Sequence, residues 1–264
     1  MSAQQQLISA ISACLDADPR VLACWLSGSL ARGDGDGFSD VDTLVPVQSE
    51  SYDDFCRDYR KTAEAIADPV LVRFRPDIGV LNVVSADWRR FDLSIVKPDG
   101  LARQNARTLK TLFNKSSFEP PFRARADYQP NPQKIADMIV EFYRIMGLLP
   151  VILGREEYAN APRGIGHLRE LTISLMLEEN RLAPDERGGA LHLNRLLTPE
   201  QRAELEALPA LDSRRDSIVE AHRAFAGIFV PRARKLAAAL NAAWPDAFAR
   251  ATAHHLEPFL ALAV

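Results

Sequence analysis

The sequence lacks the marks of secreted, zinc-binding and membrane-spanning proteins. Its 264 residues contain only three cysteines, Cys14, Cys24 and Cys56, and none of them forms a C-x-x-C pair. This pattern argues against a disulfide framework or a zinc knuckle and is typical of a reducing cytosol. No apolar run approaches the roughly 20 residues of a membrane helix, and residues 1–20 lack the basic region of a signal peptide. We therefore expect a cytoplasmic protein with no membrane partner.

A basic excess is also missing. The 32 Lys and Arg residues are outnumbered by 35 Asp and Glu residues, which gives a net charge of −3. Proteins that grip nucleic acid through its phosphates need a positive surface, so we expect no nucleic-acid partner. The hydrophobic share of 47% and the charged share of 25% are those of an ordinary globular protein. Function is therefore expected to reside in a local site.

The first half of the chain alternates helical and strand patterns. Apolar residues recur at helical spacing within 3–16 and again within 50–67. Pro46 indicates that its strand is an edge strand or ends there. Short apolar runs typical of strands occupy 21–27, 41–47, 69–74, 78–84 and 90–96.

The second half has a helical pattern throughout. Asn131 followed by Pro132 is a helix start signal. Thr198 and Gln201 predict a second helix start of the capping-box type. Further helices are predicted over 166–180, 198–207, 213–240 and 244–262.

The two patterns meet in a basic segment. Residues 103–125 carry six Arg or Lys residues against one acid, and they include Pro120 and Pro121. We interpret this segment as a linker whose bases are either solvated or directed at a nucleotide triphosphate. The sequence thus predicts an α+β fold, with a mixed sheet and flanking helices over 1–125 and a helical bundle over 126–264.

One short constellation carries the chemistry. A buried strand runs into Gly28 and Ser29, a Gly-rich stretch follows, and Asp40 and Asp42 open the next strand. Glycine allows a ligand to approach the backbone, and backbone N–H groups with the Ser29 hydroxyl suit phosphate oxygens. The two acids stand two residues apart on a strand, so they share a face and provide the oxygen ligands that Mg²⁺ prefers. A triphosphate cradle beside a magnesium site indicates phosphoryl or nucleotidyl transfer.

Other readings of this segment fit less well. A P-loop is absent because no Gly-Lys-Ser/Thr sequence occurs. An EF-hand would place Asp34, Asp36 and Asp42 on ligand positions, but Phe38 and a missing final Glu spoil the loop. A plain acidic turn does not explain two carboxylates on one side of a buried strand, since like charges repel there unless a cation is present.

The same residues carry a family resemblance. Gly28-Ser29, an interval of ten residues and Asp40-Val41-Asp42 resemble the signature of the DNA polymerase β-like nucleotidyltransferase superfamily. The longer run GSLARGDGDGFSDVD is similar to the antibiotic-modifying branch, to lincosamide nucleotidyltransferases first and aminoglycoside adenylyltransferases second. Residues 145–159 are similar to a helix of those enzymes that ends in Arg/Lys-x-Glu-Tyr. The resemblance implies a nucleotidyltransferase catalytic domain over 1–125 and a helical substrate-binding domain over 126–264.

The resemblance also implies how the site is composed. One or two Mg²⁺ ions would be held by Asp40, Asp42 and a third acid on a later strand. For that acid we expect Asp92, which stands alone among alternating apolar strand residues, with Asp77 as the competitor. The nucleotide, ATP or another NTP, would be bound by Gly28, Ser29, Arg32 and Ser39.

The residue that accepts the proton of the attacking hydroxyl is left open. Asp92 is one candidate, and the others are glutamates of the helical half. Glu157 follows the Arg155 of the matched segment, which makes it our choice for a catalytic residue from that half. Glu141 and Glu170 remain alternatives.

The expected reaction is Mg²⁺-dependent transfer of a nucleoside monophosphate to a hydroxyl group of a small antibiotic, with release of pyrophosphate. A lincosamide is ranked above an aminoglycoside, because residues 121–264 balance 18 basic against 18 acidic residues and supply apolar side chains such as Phe142, Tyr143, Met146 and Tyr158. The alternatives are a toxin–antitoxin type of enzyme that modifies a protein or an RNA, and a catalytically silent nucleotide-binding module. A homodimer is left open.

Overall fold

The computed structural model describes residues 2–115, 118–122, 126–188 and 190–260. The chain divides into two compact units, Met1–Ala126 and Asp127–Val264. Each unit has its own cluster of buried apolar side chains. None of the helices formed by the described residues combines the length and the apolar character needed to cross a bilayer.

The first unit is built on a six-stranded mixed sheet. Its spatial order is β3-β4-β5-β2-β1-β6, in which β2 and β5 run parallel and the other neighbours run antiparallel. The strands are β1 Ala23–Leu26, β2 Val41–Pro46, β3 Pro69–Arg75, β4 Val80–Ser85, β5 Arg90–Val96 and β6 Lys110–Asn114. The parallel pair is the part of the sheet that positions the candidate site.

One expectation about this sheet is wrong, and another holds in one of its two forms. Strand β6 lies inside 103–125, so the interpretation of that whole segment as a linker fails for 110–114. The strand is only five residues long and largely exposed, so it has no alternating apolar pattern to reveal it. Pro46 ends β2, as one of the two readings predicted, but β2 is an interior strand and not an edge. Of the basic residues in 103–125, Arg123 and Arg125 lie outside the described residues.

The helices of the first unit cover mainly one face of the sheet. They are α1 Ala3–Ala17, α2 Gly28–Arg32, α3 Tyr52–Arg57 and α4 Tyr59–Ile66. Helix α1 begins with a capping box in which Ser2 accepts from the Gln5 amide. Side chains such as Val41 and Phe91 belong to the larger cluster beside α1, α3 and α4, while Leu44 joins a smaller cluster on the opposite face. Strand residues of even number in β2, including Asp42, therefore face away from the larger helical layer.

The second unit is entirely helical in its described residues, apart from turns and a short 3-10 helix. Its helices are α5 Pro132–Met146, α6 Leu149–Gly154, α7 Ala161–Glu179, α8 Pro199–Glu206, α9 Arg215–Leu240 and α10 Asp246–Leu260. The caps predicted at Asn131 and Thr198 are both confirmed. Phe142 of α5 stacks on Phe229 of α9 at 3.8 Å between ring centroids, in the centre of the core. A mixed sheet followed by a helical region confirms the predicted α+β class.

Candidate functional site

The turn between β1 and α2 places Gly28 against an acid of the next strand. Gly28 has a φ of +63°, in the left-handed region that favours glycine. A Cβ built at this position would overlap the carboxylate of Asp42. The sequence suggested that glycine leaves room for phosphate, and the structure adds a second reason, since any side chain here would displace Asp42.

The hydroxyl group of Ser29 is buried beside this turn without a hydrogen-bond partner in the described part of the chain. Only 3% of the residue is exposed. An unpaired buried polar group costs about 1–3 kcal/mol, so such a group is typically completed by a water molecule, an ion or a ligand. A phosphate oxygen of a nucleotide would supply the missing partner.

Asp42 and Asp92 are brought together by strand register. They are paired positions on the parallel strands β2 and β5, so both side chains extend from the same face of the sheet. The pKa of Asp42 is raised to about 6, mainly by burial and also by the negative charges of Asp40 and Asp92, while the charges of Arg32 and Arg90 oppose the rise. Burial also raises the pKa of Asp92, helped by Asp40. The three carboxylates thus repel one another and favour a cation between them.

Two polar residues that the sequence analysis did not single out hold these acids in place. Asn82 of β4, which is paired with Asp92 across the strands, donates a hydrogen bond of 2.7 Å to its Oδ2. Arg90 lies 3.8 Å from Asp40 and also donates to the Phe38 carbonyl at 3.1 Å. Asn82 could have been predicted as a partner of Asp92, because it is a polar residue at the strand position paired with that acid.

The loop before β2 is fixed by internal contacts. The Ser39 hydroxyl accepts from the Asp36 amide at 2.9 Å and lies 3.2 Å from its carboxylate. Gln4 of α1 donates to the carbonyls of Asp36 and Ser39 at 2.6 and 2.8 Å. Arg32 pairs with Asp34 at 3.2 Å, and its charge reaches Asp42. The predicted contacts of Arg32 and Ser39 with nucleotide stay predictions, as Ser39 is already engaged within the loop.

Asp77, the competitor for the third acid, lies elsewhere. It is in the turn between β3 and β4, where its exposed carboxylate pairs with Arg75 at 3.4 Å. Asp92 is paired with Asp42 on neighbouring strands, whereas Asp77 is not part of any of these strand pairs.

The donor set suits magnesium that arrives with a nucleotide. Within residues 2–115, 118–122, 126–188 and 190–260, no three His, Cys, Asp or Glu side chains are gathered so as to hold a metal ion by themselves. Mg²⁺ is usually bound by one or two carboxylates together with substrate phosphates and water. Asp40 and Asp42 near the unpaired Ser29 hydroxyl fit that arrangement. Binding of the metal by all three acids, with Asp92 as the third, stays a prediction.

The three glutamates considered as proton acceptors line one cavity of the helical unit. Glu141, Glu157 and Glu170 border a cavity of about 740 Å³ formed by α5, α6, α7 and the turn between α6 and α7. Hydrogen bonding to Arg144 lowers the pKa of Glu141, with His167 adding to the effect at 3.2 Å. Glu157 and Glu170 are exposed and form no ion pair with a described residue. Sequence reasoning named these residues singly and did not foresee that they converge.

The comparison with protein families decides the class of the protein. The streptomycin adenylyltransferase family matches residues 1–259. The chain belongs to this family. It is therefore a nucleotidyltransferase of the antibiotic-modifying branch, which confirms the resemblance read from the Gly28–Asp42 motif.

Two solved structures resemble the chain at low sequence identity. An aminoglycoside 6-adenyltransferase from Bacillus subtilis is 16% identical and has a TM-score of 0.40, and the match covers 97% of each chain. A STING-associated CdnE c-di-GMP synthase from Capnocytophaga granulosa is 13% identical and has a TM-score of 0.30, with 85% of this chain and 80% of that chain covered. No curated protein matches the sequence.

Proposed function

We propose that this adenylyltransferase transfers AMP from ATP to a hydroxyl group of an aminoglycoside, with streptomycin as the first candidate, and releases pyrophosphate. The observation that carries the proposal is the set of repelling carboxylates Asp40, Asp42 and Asp92 beside the unpaired Ser29 hydroxyl. Family membership supports the drug class, since the family is described by streptomycin. The first unit is then the catalytic domain and the second the acceptor-binding domain.

The residues of the first unit divide the work on the nucleotide. Asp40 and Asp42 would hold Mg²⁺ together with the triphosphate, and Ser29 would donate to a phosphate oxygen. Bound Mg²⁺ neutralises the charge that develops at the α-phosphate. Asn82 keeps one Asp92 oxygen engaged at 2.7 Å, which fixes the orientation of the carboxylate. Asp92 then either adds to the metal site or accepts the proton of the attacking hydroxyl.

The glutamate cavity of the helical unit is proposed as the acceptor site. Aminoglycosides carry several positive charges, and Glu141, Glu157 and Glu170 supply carboxylates to this concave surface, which Arg144, Arg155 and Arg163 also border. Glu157 and Glu170 have no partner of their own among the described residues, whereas Glu141 is already paired with Arg144 and His167. The first two are therefore the carboxylates available to a drug, and Glu157 remains the proposed proton acceptor from this unit.

The order of the two drug classes changes from the one the sequence suggested. Phe142, Tyr143 and Met146, which favoured a lincosamide, are buried and border a different cavity from the glutamates. Those three side chains therefore cannot contact an apolar drug bound in the glutamate cavity. A lincosamide remains the second candidate.

Mass spectrometry of the products formed with single drugs tests the identity of the acceptor. Streptomycin, kanamycin, lincomycin and clindamycin are incubated separately with the enzyme, Mg²⁺ and each NTP, with the Asp42→Asn variant as the control for metal-site chemistry. We expect an AMP adduct on streptomycin with ATP and none with the variant. Adducts on lincosamides alone would restore the original ranking, and adducts on no drug would direct the search to a protein or RNA acceptor.

A further inference from the structure

A second cavity in the helical unit is unrelated to the glutamates. It has a volume of about 440 Å³, and it lies between α5, α9 and α10 and the segment that joins the last two helices. It shares no lining residue with the glutamate cavity. Small-molecule sites typically have volumes of about 300–1,000 Å³, so the space is sufficient for a compact ligand.

The space exists because small residues stand where larger ones would fill it. The lining includes Ala226 and Gly227 of α9 and Ala249 and Ala253 of α10. A Cβ built on Gly227 would meet nothing within 4 Å. Glycine is unfavourable inside a helix, so this position leaves room at a cost in helix stability. The cavity therefore results from the small residues at these positions.

One polar side chain at the wall lacks a hydrogen-bond partner. The indole Nε1 of Trp244 is buried and has no hydrogen-bond partner in the described residues. Pro231, also at the wall, has no N–H for the carbonyl of Gly227 four residues earlier. A buried donor without a partner is the kind of group that a ligand completes.

The charges at the wall favour an anion. Arg234 lies over the Trp244 ring at 4.5 Å, and Arg250 borders the same cavity from α10. Asp246 is the single acid among the lining residues. Arg234, Arg250 and Asp246 form no ion pair with a described residue. Trp244 meets Tyr143 edge to face at 6.1 Å, which adds aromatic surface to the wall. Two cations against one acid, with aromatic and aliphatic walls, match an apolar ring system that bears one negative charge.

We propose that this cavity binds a compact aromatic carboxylate. The rings pack against Phe142, Met146 and Val230. The carboxylate accepts from the Trp244 Nε1–H and is attracted by Arg234 and Arg250. A polycationic sugar is disfavoured here because the wall is apolar and carries a net positive charge. The site is thus separate from the acceptor cavity proposed above, with which it shares no lining residue.

Calorimetry with a matched pair of probes tests the charge requirement. The full-length protein is titrated with 2-naphthoate and with 2-naphthalenemethanol, which has the same rings and no charge. We expect 2-naphthoate to bind at one site about tenfold or more tighter than the alcohol, the size of one hydrogen bond to a charged group. Equal affinities, or no binding of 2-naphthoate, would overturn the proposal. Arg234→Gln should remove most of the preference, and an unchanged preference in that variant would also contradict it.

Two glycine variants test the location. Gly227→Leu fills the cavity and should weaken 2-naphthoate at least about tenfold, while thermal melting stays as high as in the wild type because a good helix former replaces glycine. Gly166→Leu is the matched control, since it also changes a helical glycine with open space at its Cβ but lies outside the cavity. Full binding in Gly227→Leu would overturn the assignment.

The indole resonance of Trp244 provides a readout that needs no variant. In ¹⁵N-labelled protein, 2-naphthoate should shift the Nε1–H signal of Trp244, while those of Trp25 and Trp88 stay in place. A shift at either of the other tryptophans with none at Trp244 would place the ligand elsewhere. Saturating ATP, Mg²⁺ and streptomycin should leave the affinity unchanged, and competition by any of them would contradict a separate site.

Discussion

The sheet acids and the helical glutamates are specified in opposite ways. Asp42 and Asp92 occupy paired positions on neighbouring parallel strands, so the backbone register alone fixes their spacing. Glu141, Glu157 and Glu170 come from two helices and a turn and meet only because those elements pack together. We therefore expect any substitution of a strand acid to cause a large loss of activity. Substitution of a single exposed glutamate on the packed helices should cause only a small change.

The comparison predicts its largest effect at the strand acids. Asp42→Asn should lower kcat by about 10³-fold, because several kcal/mol of charge stabilisation at the metal are lost. Circular dichroism should show an intact fold. Asp77→Asn is the matched control, since its carboxylate is exposed in a turn and away from Asp42, and it should retain full activity. Near-normal Mg²⁺-dependent turnover in Asp42→Asn would remove that acid from the site.

Substitutions of two glycines test the close approach of Gly28 to Asp42. Gly28 and Gly33 both adopt positive φ, but only a Cβ at Gly28 would meet other atoms, namely the Asp42 carboxylate. Gly33→Ala should therefore cost only the left-handed strain of about 1–2 kcal/mol. Gly28→Ala should cost about 1–3 kcal/mol more through overpacking and should also lower kcat by displacing Asp42. Urea unfolding and initial rates measure both, and equal losses in the two variants would contradict the close approach.

Substitutions in the glutamate cavity should have graded effects. Glu157→Gln and Glu170→Gln should each raise the KM for streptomycin about three- to tenfold and leave the KM for ATP unchanged. If Glu157 also accepts the proton, kcat falls in that variant alone. Glu220→Gln, an exposed glutamate of α9 outside the cavity, is the control. A change in the KM for ATP equal to that for the drug would argue against an acceptor site.

A further predicted effect concerns stability without metal. The pKa of Asp42 is raised to about 6 in the folded protein, so the group favours the folded state below its unfolded pKa of about 4, and that contribution is lost as the pH rises through 6. In metal-free buffer, Asp42→Asn should thus match the wild type at pH 4 and exceed it by about 1–2 kcal/mol at pH 7, after allowance for solvent screening. Denaturant unfolding at both pH values measures this. An asparagine variant that is less stable at pH 7 would show that Asp42 is not under electrostatic strain.

The sequence predicted most of what depends on local patterns. The caps at Asn131 and Thr198 and the strands around Asp42 and Asp92 follow from short-range chemistry, and they are where expected. The nucleotidyltransferase superfamily and its antibiotic-modifying branch follow from the Gly28–Asp42 motif, because fifteen consecutive residues carry it.

Features that depend on pairing between distant segments were missed. Strand β6 is defined by its ladder with β1 and has no strong pattern of its own. The contact of Asn82 with Asp92 needs the register of β4 on β5. The short helix α2 ends at Gly33 in the left-handed conformation, within a stretch too rich in glycine to suggest a helix. The convergence of three glutamates requires the packing of α5 on α7, which periodicity within each helix does not encode.

Transfer of isotopic label from ATP to the drug distinguishes nucleotidyl transfer from phosphoryl transfer. ATP labelled at the α-phosphate and ATP labelled at the γ-phosphate are incubated in parallel with Mg²⁺, streptomycin and either the wild-type protein or Asp42→Asn. We expect streptomycin to acquire the α-label but not the γ-label and pyrophosphate to appear in equal amount, and we expect the variant to transfer neither label. Transfer of the γ-label to the drug, or undiminished transfer of the α-label by Asp42→Asn, would contradict nucleotidyl transfer at the strand acids.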